Sequence, residues 1–224
     1  MKILLNKNGT IIIEFQNFIE MVNKNLIDNV YHEHYFYYSL TSIQNLLNKS
    51  GLKIYDAKKI NVHGGSLRVF VCHESDPLKE TKNFKKMYKI ELKNSKNMNF
   101  YKKFQKNFFI LKKNIFKFLR ENSNKKILGF GAAAKASTFI NLFNIHKYNI
   151  KNIIDNAKSK QKKYIAGTKI KVIHPKDVKI YDYDFIFIFA WNLKKEISKF
   201  IKNYYSKKNI NVVTFIPKIK ITKL

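Results

Sequence analysis

The run Phe185-Ile186-Phe187-Ile188-Phe189 is apolar at every position. Successive side chains of a strand point to opposite faces of its sheet, so this strand needs cover on both sides. The neighbouring segments supply it. Lys126 to Phe130 reads as a strand and Ala132 to Phe143 as a helix. Ile150 to Ile154 and Ile170 to Ile173 read as further strands, Leu193 to Tyr204 as a helix, and Asn211 to Phe215 as the last strand. Strands alternating with helices predict an α/β fold, a parallel sheet with helices on both faces.

The first part of the chain has a different rhythm. Ile11-Ile12-Ile13-Glu14-Phe15 follows the turn signal Asn6-Lys7-Asn8-Gly9 and reads as a buried strand. Phe18 to Asn25 reads as a short helix. Thr41-Ser42-Ile43-Gln44 has the form of a capping box, with Leu40, Ile43, Leu46 and Leu47 as an apolar helical face ended by Gly51. Leu52 to Ile60 and Ser66 to His73 read as strands, and the short Gly64-Gly65 connection favours an antiparallel pair. Residues 75–97 are polar and lysine-rich and read as a connector. From Phe100 to Leu119, apolar residues at Phe100, Phe104, Phe108, Leu111, Ile115 and Phe118 predict a long amphipathic helix with a solvated basic face.

Composition excludes several function classes. The formal net charge is +29, which invites a nucleic-acid reading. Yet only Arg68 and Arg120 are arginines, and the lysines are spread along the chain rather than gathered into a stripe. Lys, Asn, Ile, Phe and Tyr share A/T-rich codons, so genome composition explains the excess at least as well as selection for a polyanion, and no specific nucleic-acid partner is expected. Cys72 alone cannot form an internal disulfide or a cysteine-based zinc site. No run is long enough to span a membrane and no signal peptide opens the chain, so a cytoplasmic protein is expected.

Gly129-Phe130-Gly131-Ala132-Ala133-Ala134 matches G-x-G-x-x-A between a strand and a helix. Small residues there let helix N-terminal N–H groups approach a pyrophosphate, Lys135 adds a point charge, and Asp155 closes the next strand where a ribose-binding acid would sit. The pattern does not separate a nicotinamide dinucleotide from a nucleotide-sugar diphosphate, and a tight turn would need the same small residues. Trp191 and Asn192 follow the buried strand, at the edge where open α/β sheets bind ligands. Asn192 is a candidate helix N-cap, and Trp191 a pocket or packing residue.

Tyr31-His32-Glu33-His34-Tyr35-Phe36-Tyr37-Tyr38-Ser39 packs two imidazoles, a carboxylate and four phenols into nine residues. His34 and Glu33 could move protons near neutral pH, and the tyrosines could meet an oxyanion. His32 and His34 would share one face if the segment were a strand, but no H-E-x-x-H frame exists and no metal site is expected.

These motifs in order, with His63 to Arg68, Ile154-Asp155, Tyr164 to Ile170 and Ala190-Trp191-Asn192, give a chain that resembles the S-adenosylmethionine-dependent sugar C-methyltransferases, which act on nucleotide-linked 4-ketosugars. The resemblance implies that residues 1–74 are the end of a class I methyltransferase domain, 75–96 a connector, and 97–224 a Rossmann-like C-terminal domain. It implies His34 as the general base, with Glu33 and Tyr31 holding the sugar and steadying the enolate. His63, Gly129, Gly131, Ala132, Lys135, Asp155, Trp191 and Asn192 would bind the nucleotide sugar. Ala133 and Ala166 depart from the family, which often has proline there. Members begin with a cysteine-rich zinc domain and a Gly-rich loop for S-adenosylmethionine. Neither is in this sequence, so most of the cofactor pocket is expected to be missing and an apolar sheet edge left uncovered, and the partners expected are an N-terminal methyltransferase half or a homo-oligomer. A non-catalytic nucleotide-sugar-binding module and an NAD-binding enzyme are the alternatives.

Overall fold

A computed structural model describes residues 1–62, 64–205 and 209–224. It divides into two compact units, one formed by Met1–Leu26 with His34–Lys106, the other by Ile27–Glu33 with Asn107–Leu224.

The first unit contains β1 (Ile11–Gln16), α1 (Phe18–Asn23), α2 (Leu40–Asn48), β2 (Leu52–Ile60), β3 (Ser66–His73), α3 (Lys82–Ser95) and the start of α4 (Met98–Glu121). Its three strands are antiparallel in the order β1-β3-β2. Leu67, Val69 and Val71 of the central strand are fully buried against Leu40, Ile43 and Leu47 of α2 and Phe84 of α3. Burying each such aliphatic side chain contributes about 1.5–3 kcal/mol before ordering entropy is subtracted.

Several local expectations change here. α2 starts one residue before Thr41, because Ser39 is its N-cap and exchanges a reciprocal capping box with Ser42. Thr41 is engaged elsewhere: its N–H and hydroxyl both donate to the buried Glu91 carboxylate of α3 (2.6 and 3.1 Å). Leu46 faces outward rather than joining the apolar face. The expected connector at 75–96 holds a helix, α3, capped by the Thr81 hydroxyl accepting from the Phe84 N–H. Its buried face is only Phe84 and Glu91, too narrow to stand out among its lysines. β1 is not a buried strand. Among the described residues it is paired on one side only, its burial alternates, and Ile12 is 60% exposed on the face where Arg68 bonds Glu14 (2.8 Å).

The second unit is the expected α/β layer structure. It contains the rest of α4, β4 (Ile127–Phe130), α5 (Ala134–Leu142), β5 (Ile150–Ile154), β6 (Lys171–Ile173), β7 (Phe185–Ile188), α6 (Lys194–Tyr205), β8 (Asn211–Thr214) and β9 (Lys220–Lys223). The sheet order is β6-β5-β4-β7-β8-β9, parallel except at its last edge. Leu128, Phe130, Ile186 and Ile188 pack with Ile197 and Ile201 of α6 on one face. On the other, Phe187 meets Phe118 of α4 and Phe215, which in turn meets Phe139 of α5. Asn211 to Phe215 is therefore not the last strand. Lys220–Lys223 folds back antiparallel on β8, and its lysine-bounded sequence suits an exposed edge. The strand order reverses between β4 and β7, which makes their carboxyl ends the topological switch point.

Candidate ligand site at the carboxyl edge of the parallel sheet

Gly131 leaves β4 at φ +91°, a backbone region that glycine enters without strain. A Cβ there would also come within 3.2 Å of Ala190 Cβ, just beyond β7, so the two strand ends approach closely at the switch point. Gly129 has a different task. It lies inside β4 opposite Ile153 of β5, whose side chain fills the space where a Cβ would stand (2.8 Å). Of the two glycines, only Gly131 belongs to the turn.

Ala133 is the N-cap residue of α5 and offers no side-chain hydrogen bond to the helix start. The first N–H groups of α5 are thus without a side-chain cap, and the helix terminus carries partial positive charge. The Ala132 N–H is already taken, donating to Asp155 Oδ2 at 2.8 Å. Asp155 Oδ1 accepts from the Ala157 N–H (2.9 Å), and Lys160 lies 3.4 Å from Oδ2. The carboxylate expected to read a ribose instead ties the two loops beyond β4 and β5 together. The loop after β5 is also tied to α5, where Asn141 Nδ2 donates to the Ala166 carbonyl (2.9 Å).

Lys135 lies in the first turn of α5, and its ammonium is buried without a hydrogen-bond acceptor among the described residues. It stands 4.0 Å from Asp28 Oδ2 and 5.9 Å from the centroid of the Trp191 ring. The indole Nε1 of Trp191 donates to the same Asp28 oxygen at 2.8 Å. Asp28 is 2% exposed, in a 3-10 turn spanning Ile27–Asn29. Burial pushes its carboxyl above the usual carboxylate range, against the opposing pull of the Lys135 charge and the indole N–H. Burial likewise lowers the Lys135 ammonium, and Asp28 opposes that shift. A cavity of about 10 Å³ beside Asp28, Phe139 and Phe215 has room for at most one water.

Asn192 is not a helix N-cap. It lies exposed within the 3-10 turn Trp191–Leu193, and α6 begins after it at Lys194. His63 falls outside the described residues. Tyr31, His32 and Glu33 follow Asp28 in the second unit, in a bend and turn rather than a strand, so the strand-face relation between His32 and His34 does not hold. Tyr31 is half-buried, with its ring edge-on to His32. Glu33 is exposed and lies 3.9 Å from His32. His34 belongs to the first unit, half-buried, with its ring edge-on to Tyr37 at 6.2 Å between centroids. Among the described residues, no three histidine, cysteine or acidic side chains gather as metal ligands, and no helix is long and apolar enough to cross a membrane.

A larger cavity, about 230 Å³, opens at the opposite edge of the sheet beside Lys126, Lys151, Asn152 and Tyr183. Its volume exceeds that at the carboxyl edge, but it sits at the amino ends of the strands. There neither a switch point nor a helix N-terminus converges on a ligand, so the carboxyl edge is the stronger candidate.

Asp28 was not singled out in the sequence. Its signal was an Asp-Asn pair between Leu26-Ile27 and Val30, an acidic side chain set in an apolar stretch of a chain with 15 acidic and 44 basic residues.

Comparison with known proteins gives the family of the chain. A family profile described as the C-methyltransferase C-terminal domain matches residues 61–217, a span that includes Gly131, Lys135, Asp155 and Trp191. The chain is 26% identical over 201 residues to the C-methyltransferase NovU of Streptomyces niveus, covering 87% of this chain and 47% of NovU. The chain spans about half the length of the curated relative it matches.

Proposed function

The chain belongs to the C-methyltransferase C-terminal domain family, and from that premise we propose that it serves the C-methylation of a nucleotide-linked 4-ketosugar, of the dTDP type. The observation that carries the ligand class is the α5 N-terminus without a side-chain cap, reached through Gly131 at the switch point and joined by Lys135. Backbone N–H groups, helix dipole and one ammonium there match a diphosphate. With the Ala132 N–H held by Asp155, the diphosphate would be met by the N–H groups that follow it.

In this reading His34 removes the proton from the carbon next to the ketone. That carbon acid ionises only if the enolate charge is met as it forms, a role that falls to the Tyr31 hydroxyl, while Glu33 orients the sugar hydroxyls. Base and hydrogen-bond donor together prepare a carbanion for alkylation.

S-adenosylmethionine is the methyl donor that the family implies. Binding it takes a Gly-rich turn from a parallel strand into a helix, with an acidic strand end beside it. The described strands of the first unit are all antiparallel, and no such turn joins them. The one strand-to-helix G-x-G turn is that of β4, and its neighbouring acid is bonded into the loops. These residues do not fit the cofactor. An N-terminal methyltransferase half, in the same polypeptide or as a partner subunit, would hold the donor. The 47% coverage of NovU supports that reading.

Enolisation needs no methyl donor, which makes it the direct test. The chain is incubated in D2O with a dTDP-linked 4-keto-6-deoxyhexose, and deuterium at the carbon next to the ketone is followed by mass spectrometry. Incorporation above the protein-free rate, together with dTDP binding by calorimetry, is expected. Absence of both would overturn the proposal, and dTDP binding without incorporation would favour a binding module over a catalyst.

A further inference from the structure

We infer that Asp28 is a positioning residue: its buried carboxylate, bonded to the Trp191 indole and facing Lys135, fastens the Tyr31–Glu33 segment to the carboxyl edge of the parallel sheet. For its catalytic consequence the inference rests on the function proposed above.

The segment Ile27–Glu33 is separated by more than seventy residues of chain from the rest of its unit, which resumes at Asn107. Something must hold it there. Ile27 and Asn29 are buried, and the 3-10 turn Ile27–Asn29 packs on α5. Apolar packing alone would tolerate small shifts along the helix, whereas a hydrogen bond from a ring N–H to a carboxylate fixes both distance and direction. Trp191 supplies that bond at 2.8 Å from the turn after β7, and Lys135 supplies an opposing charge from the first turn of α5. Asp28 therefore reads both sides of the switch point at once. Three residues later comes the Tyr31 hydroxyl, and five residues later Glu33.

The same contact has a second consequence. Asp28 is the carboxylate nearest the ammonium assigned to the diphosphate, so it sets how freely Lys135 can turn to an anion. A residue that only stabilises the fold would, when removed, weaken every property together. A positioning carboxylate that also restrains Lys135 predicts a split: proton abstraction falls while anion affinity holds or rises.

The experiment uses the full chain with Asp28→Ala, Asp28→Asn and Trp191→Phe beside wild type. Amide hydrogen exchange is read over residues 27–33 and over β7. In Asp28→Ala, exchange in 27–33 is expected to rise about tenfold or more, from loss of a buried charged hydrogen bond, with β7 unchanged. Asp28→Asn keeps an amide oxygen that can accept from the indole and moves less. Deuterium incorporation into the dTDP-ketosugar is expected to fall about tenfold or more in Asp28→Ala while calorimetric dTDP affinity holds or tightens. Wild-type exchange over 27–33 in Asp28→Ala would overturn the inference, as would a parallel fall in incorporation and dTDP affinity. If Asp28→Ala does not fold, Trp191→Phe removes the same hydrogen bond from the donor side, and unchanged exchange over 27–33 in that variant overturns the inference equally. Amide exchange needs no substrate. A wild-type chain that fails to label the ketosugar therefore counts against the proposed function alone.

Discussion

The indole N–H of Trp191 and the carboxylate of Asp28 meet at 2.8 Å from positions 163 residues apart in the chain. Because Trp191 is the only tryptophan in the sequence, its emission reports directly on that buried carboxyl. The pairing gives the first prediction a direct readout.

Lys135→Met should shift the emission titration of Trp191 to higher pH. Burial already raises the Asp28 carboxyl above its ordinary value of 3.8, and the Lys135 charge is what restrains that rise. An acid whose folded-state pKa is raised contributes stability that is fully present below its unfolded pKa. That contribution is lost as pH climbs through the folded value. Removing the ammonium therefore moves the end of that window upward, as fluorescence titration and urea unfolding at several pH values would show. An unshifted midpoint would mean that the two groups do not interact.

His34→Ala should lower deuterium incorporation into the ketosugar by about a hundredfold or more, the usual scale of a general base. Calorimetric dTDP affinity should stay within about tenfold of wild type, since the diphosphate is assigned to residues of the second unit. A variant that labels the sugar at the wild-type rate would remove His34 from the base role.

Gly131→Val should destabilise the second unit by about 1–3 kcal/mol and weaken dTDP binding, because the position combines φ +91° with a neighbour 3.2 Å from the added Cβ. Gly129→Ala should destabilise by a similar amount through collision with Ile153. Its effect on dTDP should follow only from lost folded protein, since Gly129 lies within the strand. Thermal melts with and without dTDP separate the two.

Phe84→Ala should cost the first unit about 3–5 kcal/mol, because a fully packed aromatic is removed from beneath β2 and β3. Lys86→Ala on the exposed side of α3 should change stability by less than about 0.5 kcal/mol. Hydrogen exchange of the β3 amides measures both. Equal, small effects would mean that α3 adds nothing to the core of that unit.

What the residues declared in advance follows from periodicity. Strands β2, β3 and β7 and helices α4 and α5 were legible because their apolar spacing repeats with the period of the element and most of their neighbours in sequence obey it. α3 was not, since two buried positions among lysines leave no period to detect, and its stability comes from Phe84 in the core and Glu91 bonding Thr41. The start of α2 is ambiguous in the sequence for a related reason. Ser39 and Thr41 both have capping chemistry, and only the distant Glu91 decides which hydroxyl is left for the cap.

The candidate site divides along the same line. An α/β layer with a Gly131 turn into α5 and a cluster of titratable groups from Tyr31 to His34 can be read from the residues alone, because turn chemistry and side-chain type are local properties. It takes the folded chain to bond Asp155 into the loops, to place Asn192 inside a 3-10 turn rather than at a helix cap, and to bring Asp28 to Trp191 and Lys135. Hydrogen bonds and charge pairs form between groups that folding brings together, and their partners lie too far apart in the chain for any local pattern to announce them.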